Sequence, residues 1–160
     1  MRNVTGDPWG GIADDEVFDA TPYAGAFVRY FVRNPLTQLL PRKFKVAFSG
    51  SDTDRVIADI HDLGFFSCTR VVDGEEVRGF RIVAGGGLSI MPKVAFELYD
   101  FVPETEYLRV SEAVLRIFNR SDELRRNRSK ARIKFLIHRV GIESFREMVD
   151  EELKGDWGQE

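Results

Sequence analysis

Phe65-Phe66-Ser67-Cys68-Thr69-Arg70-Val71-Val72-Asp73-Gly74-Glu75-Glu76-Val77-Arg78-Gly79-Phe80-Arg81-Ile82-Val83-Ala84 is the stretch on which the fold turns. Phe65–Val72 and Val77–Ala84 are rich in β-branched and aromatic residues, and Asp73-Gly74 between them is a favoured hairpin turn, so the run predicts two antiparallel strands. Downstream, Gly85-Gly86-Gly87 breaks the second strand, and Val94–Val102 reads as a further strand or a short helix. Upstream, Lys43–Ser49 alternates charged and apolar residues and predicts another strand. Ser51-Asp52 after it signals a short helix over Thr53–His61, with Val56, Ile57 and Ile60 inward. Thr21 as N-cap and Pro22 at the first helical position predict a helix ending near Asn34-Pro35. The last third carries helical stripes: Leu108, Val114, Leu115 and Phe118, then Ile133, Leu136, Ile137 and Val140 up to Gly141, then Ile142, Phe145, Met148 and Val149. The mixture predicts an α+β fold, a mixed or antiparallel sheet with packed helices and a ferredoxin-like central part. Residues 1–153 read as one domain, with 154–160 as a linker or tail.

The chain has 160 residues, 43% of them hydrophobic, enough to bury a single core. Its net charge of −3 argues against a globally basic nucleic-acid binder. A single cysteine, Cys68, excludes an internal disulfide and a four-cysteine zinc or iron–sulfur site built from this chain alone. No apolar run approaches the ~20 residues of a membrane span and no signal-peptide core follows Met1, so the chain reads as soluble and cytoplasmic, without a membrane partner. Arg2-Asn3-Val4-Thr5-Gly6 looks like a strand and turn from inside a protein, and Gly155–Glu160 like a linker, which suggests a segment of a longer polypeptide.

The strongest chemical signal is Pro41-Arg42-Lys43-Phe44-Lys45. In an extended segment Lys43 and Lys45 share one face, about 7 Å apart, while Phe44, Val46 and Phe48 face a core. Two ammonium groups so placed suit a polycarboxylate or a small oxyanion; the bland alternative is a solvated edge strand protected by lysines. The glycine run offers backbone amides to an anion, but it lacks G-x-G-x-x-G spacing and reads more simply as a flexible turn. Arg116–Arg139 holds nine Lys/Arg against Asp122 and Glu123, while Glu143–Glu160 is acidic. The two blocks suit mutual neutralisation better than nucleic-acid binding. His61-Asp62 has the make-up of an acid–base pair or of a helix cap, and Cys68 that of a small buried apolar residue.

Several segments together resemble the sirohaem-dependent nitrite and sulfite reductase family, in the first of its two sirohaem-domain repeats. They are Arg2-Asn3-Val4-Thr5-Gly6, Tyr23-Ala24, Pro41-Arg42-Lys43-Phe44-Lys45, Ile60-His61-Asp62-Leu63-Gly64-Phe65, Gly85-Gly86-Gly87-Leu88, Asn127-Arg128-Ser129-Lys130-Ala131-Arg132 and Phe145-Arg146. The resemblance implies part of an oxidoreductase that reduces nitrite to ammonia or sulfite to sulfide by six electrons, with sirohaem coupled to a 4Fe-4S cluster. It also implies a second repeat and ferredoxin or another donor as partners. Arg2, Lys43 and Lys45 match the family's cations around the bound anion, and Arg2, Asn3, Thr5, Arg42, Lys43, Lys45 and Gly86 fall at cofactor-binding positions. The cluster cysteines of the family lie outside these residues, and Asp7 stands where some relatives have cysteine, so this segment alone is expected to be inactive. The alternative is a non-catalytic binding or scaffold module that retained the fold.

Overall fold

The hairpin is present and longer than its apolar runs. In the computed structural model, which describes residues 1–159, β3 (Leu63–Val72) and β4 (Glu75–Ala84) pair antiparallel from Leu63↔Ala84 to Val72↔Glu75. Asp73 (φ 52°) and Gly74 (φ 84°) both take positive φ, the geometry of a two-residue type I′ turn. That turn sets Val72 directly against Glu75, so pairing starts at the turn rather than at Val77.

Three more strands complete one sheet in the order β1-β2-β3-β4-β5. β5 (Phe96–Pro103) runs antiparallel to β4 with register shifts between Phe80 and Val83, so the ambiguous 94–102 segment is a strand. On the other side β2 (Lys45–Ser49) pairs parallel to β3, and β1 (Asn3–Gly6) pairs parallel to β2. The sequential order is not the ferredoxin-like interleaving expected for the centre. It arises because β1 and β2 are joined by a crossover through α1 (Thr21–Phe31), while β3, β4 and β5 follow one another as antiparallel neighbours. Ala20, not Thr21, is the N-cap of α1; the Asp19 carboxylate accepts the Thr21 N–H (2.9 Å). The helix stops at Phe31, and Asn34 instead caps the 3₁₀ turn Pro35–Thr37 through Leu36 N–H (3.0 Å).

The helix expected over Thr53–His61 is absent. The Asp54 carboxylate accepts the N–H groups of Ala58 (2.7 Å) and Asp59 (3.2 Å), drawing the chain into a 3₁₀ turn at Ala58–Ile60. Ile57 enters it with φ 54° and an exposed side chain, whereas Val56 is buried as expected. Three of the four remaining α-helices follow the expected stripes: α2 (Tyr107–Arg120), α4 (Ile133–Val140), ended by Gly141 (φ 86°), and α5 (Ile142–Glu152). A short α3 (Asp122–Arg126) precedes α4, and Met148 is exposed rather than part of the α5 stripe.

The helices cover one face of the sheet. Phe44, Val46, Phe48, Phe65 and Phe80 meet Phe27, Phe31, Phe118 and Phe145 there, all buried. Phe48 and Phe65 stack at 4.4 Å with Phe80 edge-on to both. Each such side chain contributes about 1.5–3 kcal/mol by leaving water. The opposite face has a smaller cluster in which Val56 and Ala58, from the connection after β2, meet Ala47, Phe66 and Val83. This leaves the start of β2 and β1 uncovered by helices on that second face. Beyond α5, Trp157 packs against the core under the Arg116 guanidinium, 4.3 Å from its ring; Glu160 of the expected tail lies outside the described residues. No described helix is long and apolar enough to cross a membrane.

Candidate functional site

β2 begins at Lys45 rather than at Lys43 and is an interior strand flanked by β1 and β3, so the protective edge-strand account does not apply to Lys45, and Lys43 precedes the strand. Phe44, Val46 and Phe48 enter the helix-side core, and alternation turns Lys43 and Lys45 to the second face, both half-buried. Register brings β1 onto the same face: Asn3 sits opposite Lys45 and Thr5 opposite Ala47, while Val4 between them packs into the core. Asn3 Nδ2 donates to Thr5 Oγ1 (3.1 Å). The Arg2 N–H donates to the Phe44 carbonyl (2.8 Å), which fixes Arg2 beside the start of β2.

A cleft of about 420 Å³ opens at this end of the sheet, lined by Arg2, Arg42, Lys43 and Arg128, with Thr37 and Gln38 as neutral polar groups. Among the described residues no carboxylate lines it. The structure therefore gathers Arg2, Arg42 and Lys43 around one opening, with Lys45, Asn3 and Thr5 on the adjoining sheet face. Arg128, not singled out as a site residue, joins them. The Lys43 ammonium is pulled below the ordinary lysine value by Lys45 above all, then by partial burial, Arg132, Arg42 and Arg2. Cations gathered this closely favour any anion that enters between them.

Behind the face lies an ion pair that the sequence did not show. Asp62 is fully buried and its carboxylate accepts from Arg132 Nε (3.1 Å) and Nη2 (2.9 Å) and from the Lys45 N–H (2.8 Å). Burial raises the Asp62 carboxyl from its ordinary value, and Arg132 and the Lys45 amide oppose that shift. His61 does not pair with it; its Nδ1 lies 2.8 Å from the Ile57 carbonyl oxygen. The acid–base reading of His61-Asp62 accordingly gives way to a structural one.

Gly85, Gly86 and Gly87 form no flexible turn and no anion cradle. All three are buried, and their N–H groups donate to Asp62 O (3.1 Å), His61 O (3.0 Å) and Lys93 O (2.9 Å). A Cβ at Gly86 would meet the Asp59 carbonyl oxygen at 2.3 Å, which is why only glycine fits there. Next to it Lys134, buried in spite of its charge, donates to the carbonyls of Leu88 (3.0 Å), Ile90 (2.9 Å) and Met91 (3.1 Å).

Most of the basic 116–139 stretch is committed inside the fold. Arg116 pairs with Glu112 (2.8 Å), Arg132 with Asp62, Arg139 with Glu123 and Arg120 with Glu152, the last crossing to the acidic block as expected. Cys68 is half-buried rather than buried, and burial pushes its thiol up, away from a reactive thiolate. Among the described residues no group of three His, Cys, Asp or Glu side chains is gathered in a metal-binding arrangement.

Comparison with known proteins is consistent across sequence and structure. A family model described as "Nitrite and sulphite reductase 4Fe-4S domain" matches residues 1–156. The chain is 40% identical over 151 residues to a protein named sulfite reductase [ferredoxin] 1 of Mycolicibacterium paratuberculosis, covering 94% of this chain and 26% of that relative. It is 34% identical over 164 residues to a ferredoxin–nitrite reductase of Synechococcus elongatus, covering 94% and 30%. The solved structure of the Mycobacterium tuberculosis NirA protein superposes with a TM-score of 0.82 at 37% identity, over 94% of this chain and 27% of that one. The chain thus spans about a quarter of the length of the curated relatives it matches.

Proposed function

Since this chain belongs to the nitrite and sulphite reductase 4Fe-4S domain family, we propose that it is the part of such an enzyme that supplies the cations around the reducible anion. The substrate in this reading is nitrite or sulfite, reduced by six electrons to ammonia or sulfide with ferredoxin or another donor. The observation that carries it is the acid-free cleft where Arg2, Arg42, Lys43 and Arg128 converge beside Lys45.

Sirohaem, a macrocycle edged with carboxylates, fits this surface by charge. Arg42 and Arg128 suit its carboxylates, with their planar forks of donors, while Asn3 and Thr5 add neutral hydrogen bonds. Bound there, sirohaem with its coupled 4Fe-4S cluster supplies the electron-transfer chemistry. A cubane needs about four thiolates, so with Cys68 alone the cluster's ligands come from cysteines outside these residues, in the second repeat. Gly86 contributes to this site indirectly, by letting the 59–61 and 85–87 segments pack.

The residues of the chain then have distinct tasks. Lys43, Lys45 and Arg2 draw in the oxyanion and offset the negative charge that accumulates on it. Lys43 serves as a proton donor, helped by Lys45 and its other cationic neighbours, which lower its pKa. Arg2 serves electrostatically through its guanidinium.

In the intact reductase, Lys43→Met and Lys45→Met should each lower turnover by about 10²–10³, the usual cost of removing one preorganised charge from a developing anion. Thermal midpoint and bound-cofactor spectrum should stay as in the parent. Unchanged steady-state rates in both variants would return the lysines to a solvated face.

A further inference from the structure

The cationic face stands on a single buried residue. Asp62 joins four parts of the fold. Its carboxylate accepts the Lys45 N–H (2.8 Å) and two Arg132 donors (3.1 and 2.9 Å). Its own N–H donates to the Lys45 carbonyl (3.0 Å), and its carbonyl accepts the Gly85 N–H (3.1 Å). The start of β2, the start of β3, the end of β4 and the head of α4 thus meet at one residue with no solvent exposure.

The position matters for what lies beyond it. The β2–β3 ladder begins at Val46↔Leu63, so Lys45 is the residue just before regular pairing. On that side Asp62 holds the Lys45 main chain through one side-chain and one main-chain hydrogen bond. Lys43 extends two residues further from this anchor. Arg132 also acts on Lys43, and Asp62 is the carboxylate that neutralises it.

We propose that Asp62 is the positioning residue of the cationic face: through the Lys45 N–H it sets the placement of Lys45, and with it the separation of the Lys43 and Lys45 ammonium groups. The anion-binding part of the proposal rests on the reading of that face given above, whereas the positioning part does not.

Two charge-matched double variants of the full chain test it. Asp62→Asn/Arg132→Met removes both buried charges but keeps an acceptor for the Lys45 N–H. Asp62→Leu/Arg132→Met removes the same charges and the acceptor. Removing both members of a buried ion pair is often neutral for stability, so the asparagine variant should keep a thermal midpoint near the parent's, while the leucine variant, which strands the Lys45 N–H, should fall a few degrees below it. If the leucine variant does not fold, Asp62→Ser/Arg132→Met takes its place, serine being too short to reach the amide.

The readouts are the NMR titration of the Lys43 and Lys45 ammonium groups and the binding of mellitate, a rigid hexacarboxylate, followed by amide shifts. With the acceptor gone, Lys43 should titrate nearer an ordinary lysine than in the asparagine variant, and mellitate should bind about tenfold more weakly, the scale of one hydrogen bond. Identical Lys43 titration and identical mellitate affinity in the two variants would overturn the positioning role. Mellitate shifts away from Lys43 and Lys45, combined with a variant-dependent Lys43 titration, would instead refute the anion-site reading and leave the positioning role standing.

Discussion

Two side chains outside the lining of the cleft show how charge is used at the scale of single residues. Asp15 is held down to about 2 from an ordinary 3.8, mainly by its hydrogen bond from Arg55 and then by that from Thr53 Oγ1 (2.7 Å). Its folded pKa lies below its unfolded one, so its contribution is fully present above about pH 4 and is lost as pH falls towards 2. The gap in thermal midpoint between the parent and Asp15→Asn should therefore be widest near neutrality and close between pH 4 and 2; a gap constant with pH would show that this ion pair adds no proton-linked stability. Lys134 is the opposite case, a buried cation whose three donors are all spent on the carbonyls of Leu88, Ile90 and Met91. Lys134→Met strands those acceptors and should cost about 3 kcal/mol, roughly a 10 °C fall in thermal midpoint. A fall under about 2 °C would mean that water replaces the ammonium without penalty. Lys43 and Lys45 were legible in the sequence because alternation along a strand is a local rule. The Asp62–Arg132 pair was not, since its members lie 70 residues apart and only tertiary packing joins them.

At the scale of elements the β3–β4 hairpin is the best-specified part of the chain, and its turn is the sensitive point. Gly74 holds φ 84°, where a side chain costs about 1–2 kcal/mol. Gly74→Val should lower stability by about that amount, read as a shift in denaturation midpoint with unchanged slope, while leaving the cationic face intact. No loss would mean that the turn relaxes to another type. The hairpin could be read because a two-residue turn and two apolar runs lie within one short window. The missing helix at 53–61 could not, because its Val56, Ile57 and Ile60 pattern is sound and the decision falls to the Asp54 carboxylate, which captures two backbone N–H groups first. The parallel pairings of β2 with β1 and with β3 left no local mark either: they depend on the course of the intervening chain, not on the strands' own residues.

Across the whole molecule the sheet is uneven in how firmly its parts are held. β3 and β4 pair over ten positions at its centre, whereas β1 pairs with β2 over four and, among the described residues, has no strand on its outer side. Amides that open independently of global unfolding come from such weakly held margins. Native-state hydrogen exchange should therefore find Val4 and Thr5 opening at lower free energy than Phe65 and Ile82, without denaturant dependence typical of full unfolding. Equal protection across the sheet would contradict this. The consequence reaches the cationic face, because Arg2, Asn3 and Thr5 travel with that margin while Lys43 and Lys45 adjoin the interior. One wall of the cleft is thus carried by a short outer strand and the other by the interior of the sheet, so parting the two breaks four strand pairings and leaves the phenylalanine core closed.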